Sequence, residues 1–184
     1  KDPRLLYTII LYGYQQQMRF NENHSFNNPV GMRWFNDKVL EKMISFSRVL
    51  KEKNVIFECS DYVSLLKKIP KNAFFYMDPP YMLTMGSYND GKRGFRGWTK
   101  ELEKEFLTTA DEIDKKNNKF MISYVLQHNG KINREVKRWI KNKGYRLIKL
   151  EPKPGWGGRN AGINRKEVLI VNYDQTKAKH HNKK

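Results

Sequence analysis

The 184-residue sequence predicts an α/β fold with a small helical region ahead of it. Three observations carry that expectation. From about residue 53 onward, short apolar runs alternate with stretches of helical periodicity, the order that builds an α/β sheet. One of those runs, Ala73-Phe74-Phe75-Tyr76-Met77, stops at Asp78-Pro79-Pro80-Tyr81 and reads as a buried strand with a rigid turn at its C-terminal end. The first 50 or so residues carry only helix and loop signals.

The elements follow in order. Leu5, Leu6, Ile9 and Ile10 begin an apolar helical face. The polar stretch from Asn21 to Asn28 breaks it, because clustered asparagine and serine favour loop. Asn36 caps a helix from Asp37, with Val39, Leu40, Met43, Ile44 and Leu50 at helical spacing. Val55-Ile56-Phe57 reads as a short strand, and Val63 to Lys68 as one or two helical turns. After the strand ending at Met77 comes a basic loop. Thr99 then caps a helix whose apolar side is Leu102, Phe106, Leu107 and Ile113. Phe120 to Tyr124 is a strand. The next helix carries Val136, Trp139 and Ile140 and ends at Gly144. Arg146 to Leu150 and Val168 to Tyr173 are the last strands, an antiparallel pair around a glycine-rich loop. The expected division is a helical region over 1–52, an α/β region over 53–174 and a basic, disordered tail over 175–184.

Composition points to a polyanionic partner. Lys plus Arg number 36 against 19 Asp plus Glu, a formal charge of +17. Such an excess is an electrostatic footprint for phosphate, although a solvated lysine surface accounts for the tail equally well. Between residues 92 and 98, Lys92, Arg93 and Arg96 alternate with Phe95 and Trp98, which suits a phosphate backbone and unstacked bases. The single cysteine, Cys59, excludes an internal disulfide and a multi-cysteine metal site, and the four histidines are scattered, so no metal is expected. No apolar run approaches the ~20 residues of a membrane span. A cytoplasmic protein with no membrane partner is the expectation.

The Asp-Pro-Pro-Tyr turn has a chemistry of its own. The C-terminal end of a strand is where open α/β sheets bind ligands. Neither proline carries an N–H, so the loop is stiff and its carbonyls are free to face a ligand. Asp78 adds an anionic acceptor and Tyr81 a flat π surface. The set suits a planar base with an exocyclic amino group, its two hydrogens accepted by Asp78 and the Pro79 carbonyl while Tyr81 stacks on the ring. A rigid turn capping a strand, with Asp78 as a turn residue, accounts for the same four residues.

These residues resemble the catalytic motif of amino methyltransferases, and flanking segments narrow the resemblance. Arg19-Phe20-Asn21 and Phe26-Asn27-Asn28-Pro29-Val30-Gly31 resemble the Phe-Asn-x-Pro-x-Gly region of Dam-like, alpha-group DNA adenine methyltransferases. Phe120 to Lys131 and Arg165 to Tyr173 resemble that group's next core strand and its last strand. The resemblance spans about residues 4 to 174. It implies part of a Rossmann-like methyltransferase sheet with a small helical target-recognition region. It further implies S-adenosylmethionine as methyl donor, double-stranded DNA as substrate, a flipped adenine as target, and a restriction–modification setting.

By the same resemblance Asp78, Pro79, Pro80 and Tyr81 are the catalytic residues, and Asp61, Tyr62 and Asp78 hold the cofactor. An ordinary Asx turn ahead of a short helix explains Asp61 equally well. Arg19, Asn21, Asn27 and Arg33 are candidates for reading bases, since arginine pairs with guanine and asparagine with adenine. The family often has arginine directly after Pro-x-Gly, whereas here Met32 intervenes. Lys92, Arg93 and Arg96 are candidate phosphate contacts, and Trp156, Arg159 and Arg165 form a second candidate patch. One departure is large: the family's Phe-x-Gly-x-Gly loop, which cradles the methionine part of the cofactor, is not present. The expectation is a C-terminal part of a longer enzyme, with an N-terminal half or second subunit completing the cofactor site. Two other classes stay open: an RNA adenine methyltransferase and a non-catalytic DNA-binding module.

Overall fold

A computed structural model describes residues 2–21, 23–66, 69–84, 98–150 and 165–174. The chain divides into two compact units, Lys1–Cys59 and Ser60–Lys184.

The N-terminal unit holds two helices, α1 (Pro3–Tyr12) and α2 (Asp37–Glu52). Each starts where a side chain replaces a missing backbone acceptor. Asp2 Oδ1 accepts from Arg4 N at 2.9 Å, and Asn36 Oδ1 accepts from Val39 N at 3.1 Å. Neither helix buries a residue. The segment between them folds back on the end of α1. Tyr14 N donates to Pro29 O at 2.8 Å and Gly31 N to Tyr12 O at 2.7 Å. Asn28 staples the same contact, its Nδ2 donating to Gln17 O at 2.7 Å. Gly31 is required by proximity, because a Cβ there would meet Gly13 O at 2.7 Å. The Pro-x-Gly segment is thus a docking device first.

The C-terminal unit is a mixed sheet with helices, as the sequence predicts. Its elements are α3 (Tyr62–Leu66), β1 (Phe74–Met77), α4 (Lys100–Lys115), β2 (Lys119–His128), β3 (Lys131–Ile132), α5 (Arg134–Lys143), β4 (Arg146–Lys149) and β5 (Arg165–Val171). The strand order is β1-β2-β5-β4, with β3 pairing on β2. β1 runs parallel to β2, and β5 runs antiparallel to both β2 and β4.

Burial sets the order. On β2 the alternate residues Phe120, Ile122, Tyr124 and Leu126 enter one core with Phe106, Leu107, Ala110 and Ile113 of α4 and with Val136, Ile140 and Ile170. Ser123 and Val125 are buried as well, so β2 is covered on both faces. Each of the large side chains in this core contributes roughly 1.5–3 kcal/mol by leaving water. Thr99 caps α4 and Asn133 caps α5, and Gly144 (φ 71°) closes α5 in the left-handed conformation. Asn172 ties the layers together. Its Oδ1 accepts from Phe120 N at 2.8 Å, while Nδ2 donates to Asp114 Oδ1 at 2.7 Å and to Asn118 O at 2.8 Å.

Three expectations need correction. Val55-Ile56-Phe57 is not a strand: no described strand pairs with it, and Ile56 and Phe57 are exposed. Val55 N donates to Lys53 O at 2.9 Å, a local bond and not a rung of a ladder. The strand ending at Met77 is not buried on both faces. It is an edge strand among the described residues, with Phe74 and Tyr76 exposed and Phe75 and Met77 half-buried. The strand beginning near Phe120 runs four residues beyond Tyr124, into a hairpin with β3. The first compact unit ends at Cys59. The tail over 175–184 lies outside the described residues.

Candidate active site at the end of the first strand

The parallel register builds the site. Met77 pairs with Ile122, so the Asp78-Pro79-Pro80-Tyr81 turn leaves β1 level with Ser123 and Tyr124 of β2. Pro79 is buried, Asp78 is exposed and Tyr81 is half-buried. The turn closes through Thr84, whose N donates to Tyr81 O at 2.9 Å. Tyr81 folds back so that its hydroxyl donates to Asp78 Oδ1 at 2.5 Å and meets Ser123 Oγ at 3.0 Å. Its ring packs edge-on with Tyr124, centroids 5.7 Å apart, and the Arg165 guanidinium lies 5.7 Å from its centroid. Burial and the bond to Asp78 push the Tyr81 hydroxyl up to about 12, so it stays a donor at neutral pH. The turn therefore presents a carboxylate at the ligand-binding end of a strand, with one oxygen held by a tyrosine.

Behind Tyr81 lies a polar cluster that the sequence reading does not anticipate. Glu103, 2% exposed, hydrogen-bonds with the Tyr124 hydroxyl. It also accepts from Asn133 Nδ2 at 3.2 Å and 3.1 Å, one bond to each oxygen. Burial raises the Glu103 carboxyl above its ordinary range, against the pull of the Asn133 bond. A signal is there in the chain: Glu103 stands three, four and seven residues before Phe106, Leu107 and Ala110, on the apolar stripe of its helix. Ser123, a polar residue inside an apolar run, is the second unanticipated group.

The other sequence-derived candidates fall in different places. Asp61 Oδ1 caps α3 by accepting from Val63 N at 2.9 Å. Tyr62 is half-buried and edge-on to Phe106, with a buried hydroxyl that has no partner among the described residues. Arg165 stands at the head of β5 beside Tyr81. Arg19, Asn21, Asn27 and Arg33 belong to the N-terminal unit. Asn21 Oδ1 is taken up by Asn23 N and Ser25 N, at 3.0 Å and 2.9 Å. Arg19 and Asn27 are exposed at the base of that loop, where Asn27 N donates to Arg19 O at 2.8 Å. Arg33 is exposed and lines a groove of about 670 Å³ together with Lys38, Lys42, Trp34 and Phe46. Lys92, Arg93, Arg96, Trp156 and Arg159 lie outside the described residues. Among the described residues no histidine, cysteine and carboxylate group is placed to hold a metal ion, and no helix is long and apolar enough to cross a membrane.

Known proteins share this arrangement of sequence. The family described as D12 class N6 adenine-specific DNA methyltransferase matches residues 4–153. The chain is 37% identical over 177 residues to the type II methyltransferase M.FokI of Planomicrobium okeanokoites, covering 94% of this chain and 27% of that protein. It is 34% identical over 175 residues to the modification methylase LlaI of Lactococcus lactis subsp. lactis, covering 95% of this chain and 27% of the relative. For the modification methylase StsI of Streptococcus sanguinis the identity is 32% over 177 residues, with 94% and 27% covered. The chain thus spans about a quarter of the length of these relatives. With the match running from α1 through the Asp-Pro-Pro-Tyr turn to the end of β4, the chain belongs to the D12 class of N6 adenine-specific DNA methyltransferases.

Proposed function

We propose that the protein carrying this chain transfers a methyl group from S-adenosylmethionine to the 6-amino group of a flipped adenine in double-stranded DNA, as the modification arm of a restriction–modification system. One observation carries the reading: an exposed carboxylate, Asp78, stands at the C-terminal end of a parallel strand with Tyr81 fixing one of its oxygens at 2.5 Å.

The chemistry asks for positioning more than for a strong base. An adenine amino group is a poor nucleophile because its lone pair is delocalised into the ring. Asp78 Oδ2 and the Pro79 carbonyl accept its two hydrogens and favour a tetrahedral nitrogen, which frees the lone pair. Tyr81 holds Asp78 in place and offers its ring to the base, which has left the helical stack to reach the turn. Preorganised acceptors of this kind supply most of the rate.

S-adenosylmethionine, when bound, supplies the electrophilic methyl. The residues present fit its adenosine end: the Asp61 carboxylate heads α3, and the buried hydroxyl of Tyr62 lacks a partner among the described residues. An N-terminal half or second subunit supplying the cradle for its methionine end is part of this proposal. Target reading falls to the N-terminal unit, through the exposed Arg19, Asn27 and Arg33.

The test is to incubate the whole protein with labelled S-adenosylmethionine and either duplex DNA or structured RNA, then digest to nucleosides. N6-methyladenine in DNA is the expected product. Label confined to RNA moves the reading to an RNA enzyme, and no transfer to either leaves a DNA-binding module.

A further inference from the structure

Two buried side-chain nitrogens at the active end of the sheet have no hydrogen-bond partner among the described residues: Nε of Arg165 and Nδ1 of His128. They belong together. Arg165 at the head of β5 is the register partner of His128 at the end of β2, and directly opposed residues of an antiparallel pair share one face. A bulge at Leu126 makes this pairing. Val125 faces Glu167, yet Gln127 faces Lys166 and His128 faces Arg165. In an unbroken ladder Gln127 would stand opposite Arg165. Bulges re-aim side chains in this way beside active sites. The Asn129-Gly130 turn, with φ of 48° and 76°, then holds His128 in the hairpin.

Both orphan groups are donors. Asn129 Nδ2, which can only donate, lies 3.2 Å from His128 Nε2. With the amide in that orientation Nε2 accepts, which is the tautomer with the proton on Nδ1. Arginine Nε is always protonated. Two neighbouring donors shielded from bulk water and lacking an acceptor fit an oxygen ligand. The guanidinium is 5.7 Å from the Tyr81 ring centroid, which puts that ligand beside whatever stacks on Tyr81. Glu167 holds Arg165 at 3.4 Å, with both side chains 35% exposed, a loose pair that an incoming anion can replace.

We propose that His128 and Arg165 form a subsite for a phosphodiester of the target strand, next to the base held at Asp78 and Tyr81. The inference rests on the adenine-methylation reading, since the phosphodiester arrives with the flipped nucleotide. A cofactor carboxylate shares the same oxyanion chemistry, and the experiment separates the two sources.

The wild-type whole protein first defines its target adenine by methylation mapping. Binding is then measured on duplexes carrying one neutral methylphosphonate at each phosphate flanking that adenine. The expected result is a ~10-fold loss at one flanking position, the scale of a hydrogen bond to a charged group. Arg165→Gln and His128→Phe should bind the unmodified duplex ~10-fold more weakly and lose nothing further on the modified one. No loss at any methylphosphonate overturns the subsite, and because that change is in the DNA, misfolding of a variant cannot mask it. A variant that keeps the full methylphosphonate penalty also overturns it. So does a variant that loses affinity for S-adenosylmethionine alone while DNA binding is unchanged. If the wild type methylates no adenine, the methylation reading fails and the subsite falls with it; methylation without a phosphate effect removes the subsite alone.

Discussion

At the scale of single residues, Tyr81 has two separable jobs. Its hydroxyl holds Asp78, and in the proposed reaction its ring is offered to the base. Tyr81→Phe removes the first and keeps the second. A hydrogen bond to a charged group is worth ~1.5–3 kcal/mol, so kcat should fall roughly tenfold to a hundredfold with KM little changed. Tyr81→Ala should raise KM for DNA as well. Single-turnover methylation across a DNA titration distinguishes them, and identical behaviour of the two variants would deny the hydroxyl its role. Glu103 offers a test by pH. Burial raises its carboxyl above the usual carboxylate range, with the neighbouring Glu135 adding to the rise. A carboxyl whose pKa rises on folding stabilises fully below its unfolded value, and that stabilisation is lost as pH climbs through the folded value. Urea unfolding at about pH 5 and about pH 8 should therefore show wild type losing more stability on the way up than Glu103→Gln. Equal losses would mean that Glu103 does not change its protonation on folding.

At the scale of elements, the staples matter more than any helix. Asn172 joins the start of β2 to the end of α4, and its removal leaves Phe120 N and Asn118 O without their partner. Asn172→Ala should cost ~1–3 kcal/mol for each buried group left unsatisfied, read as a lower urea midpoint at unchanged slope; a midpoint within error of wild type would contradict the staple. Much at this scale was legible in the sequence. Asn36, Thr99 and Gly144 mark helix ends because capping is a local interaction between neighbours in the chain. The Asp-Pro-Pro-Tyr turn was legible for the same reason. What was not legible depends on partners distant in sequence. Val55-Ile56-Phe57 has strand composition but no strand beside it among the described residues. Phe74 and Tyr76 sit at an edge of the described sheet that periodicity alone cannot locate. The bulge at Leu126 comes from pairing with β5, so nothing near His128 announces that it will face Arg165. The Asn129-Gly130 pair, by contrast, is a local hairpin signal that the sequence does carry.

At the scale of the whole molecule, charge is the dominant fact. A net +17 across two units predicts binding to any duplex with a strong salt dependence. Replacing Lys92, Arg93 and Arg96 together by alanine should lower the slope of log affinity against log salt by about two to three, at ~0.9 for each phosphate no longer neutralised. Specific and random duplexes should weaken alike, and an unchanged slope would place those cations away from DNA. In the proposed reaction the cations bind the duplex through its phosphates, whereas the carboxylate at the end of β1 acts on the amino group at transfer. The most direct measurement is therefore made on Asp78→Ala in the whole protein, with N6-methyladenine quantified by mass spectrometry of digested DNA beside a binding titration. The expected result is a methylation rate lower by ~10²–10³, the cost of removing an electrostatic stabiliser, with DNA affinity nearly unchanged. Methylation at close to the wild-type rate would contradict a role for Asp78 at the reacting nitrogen.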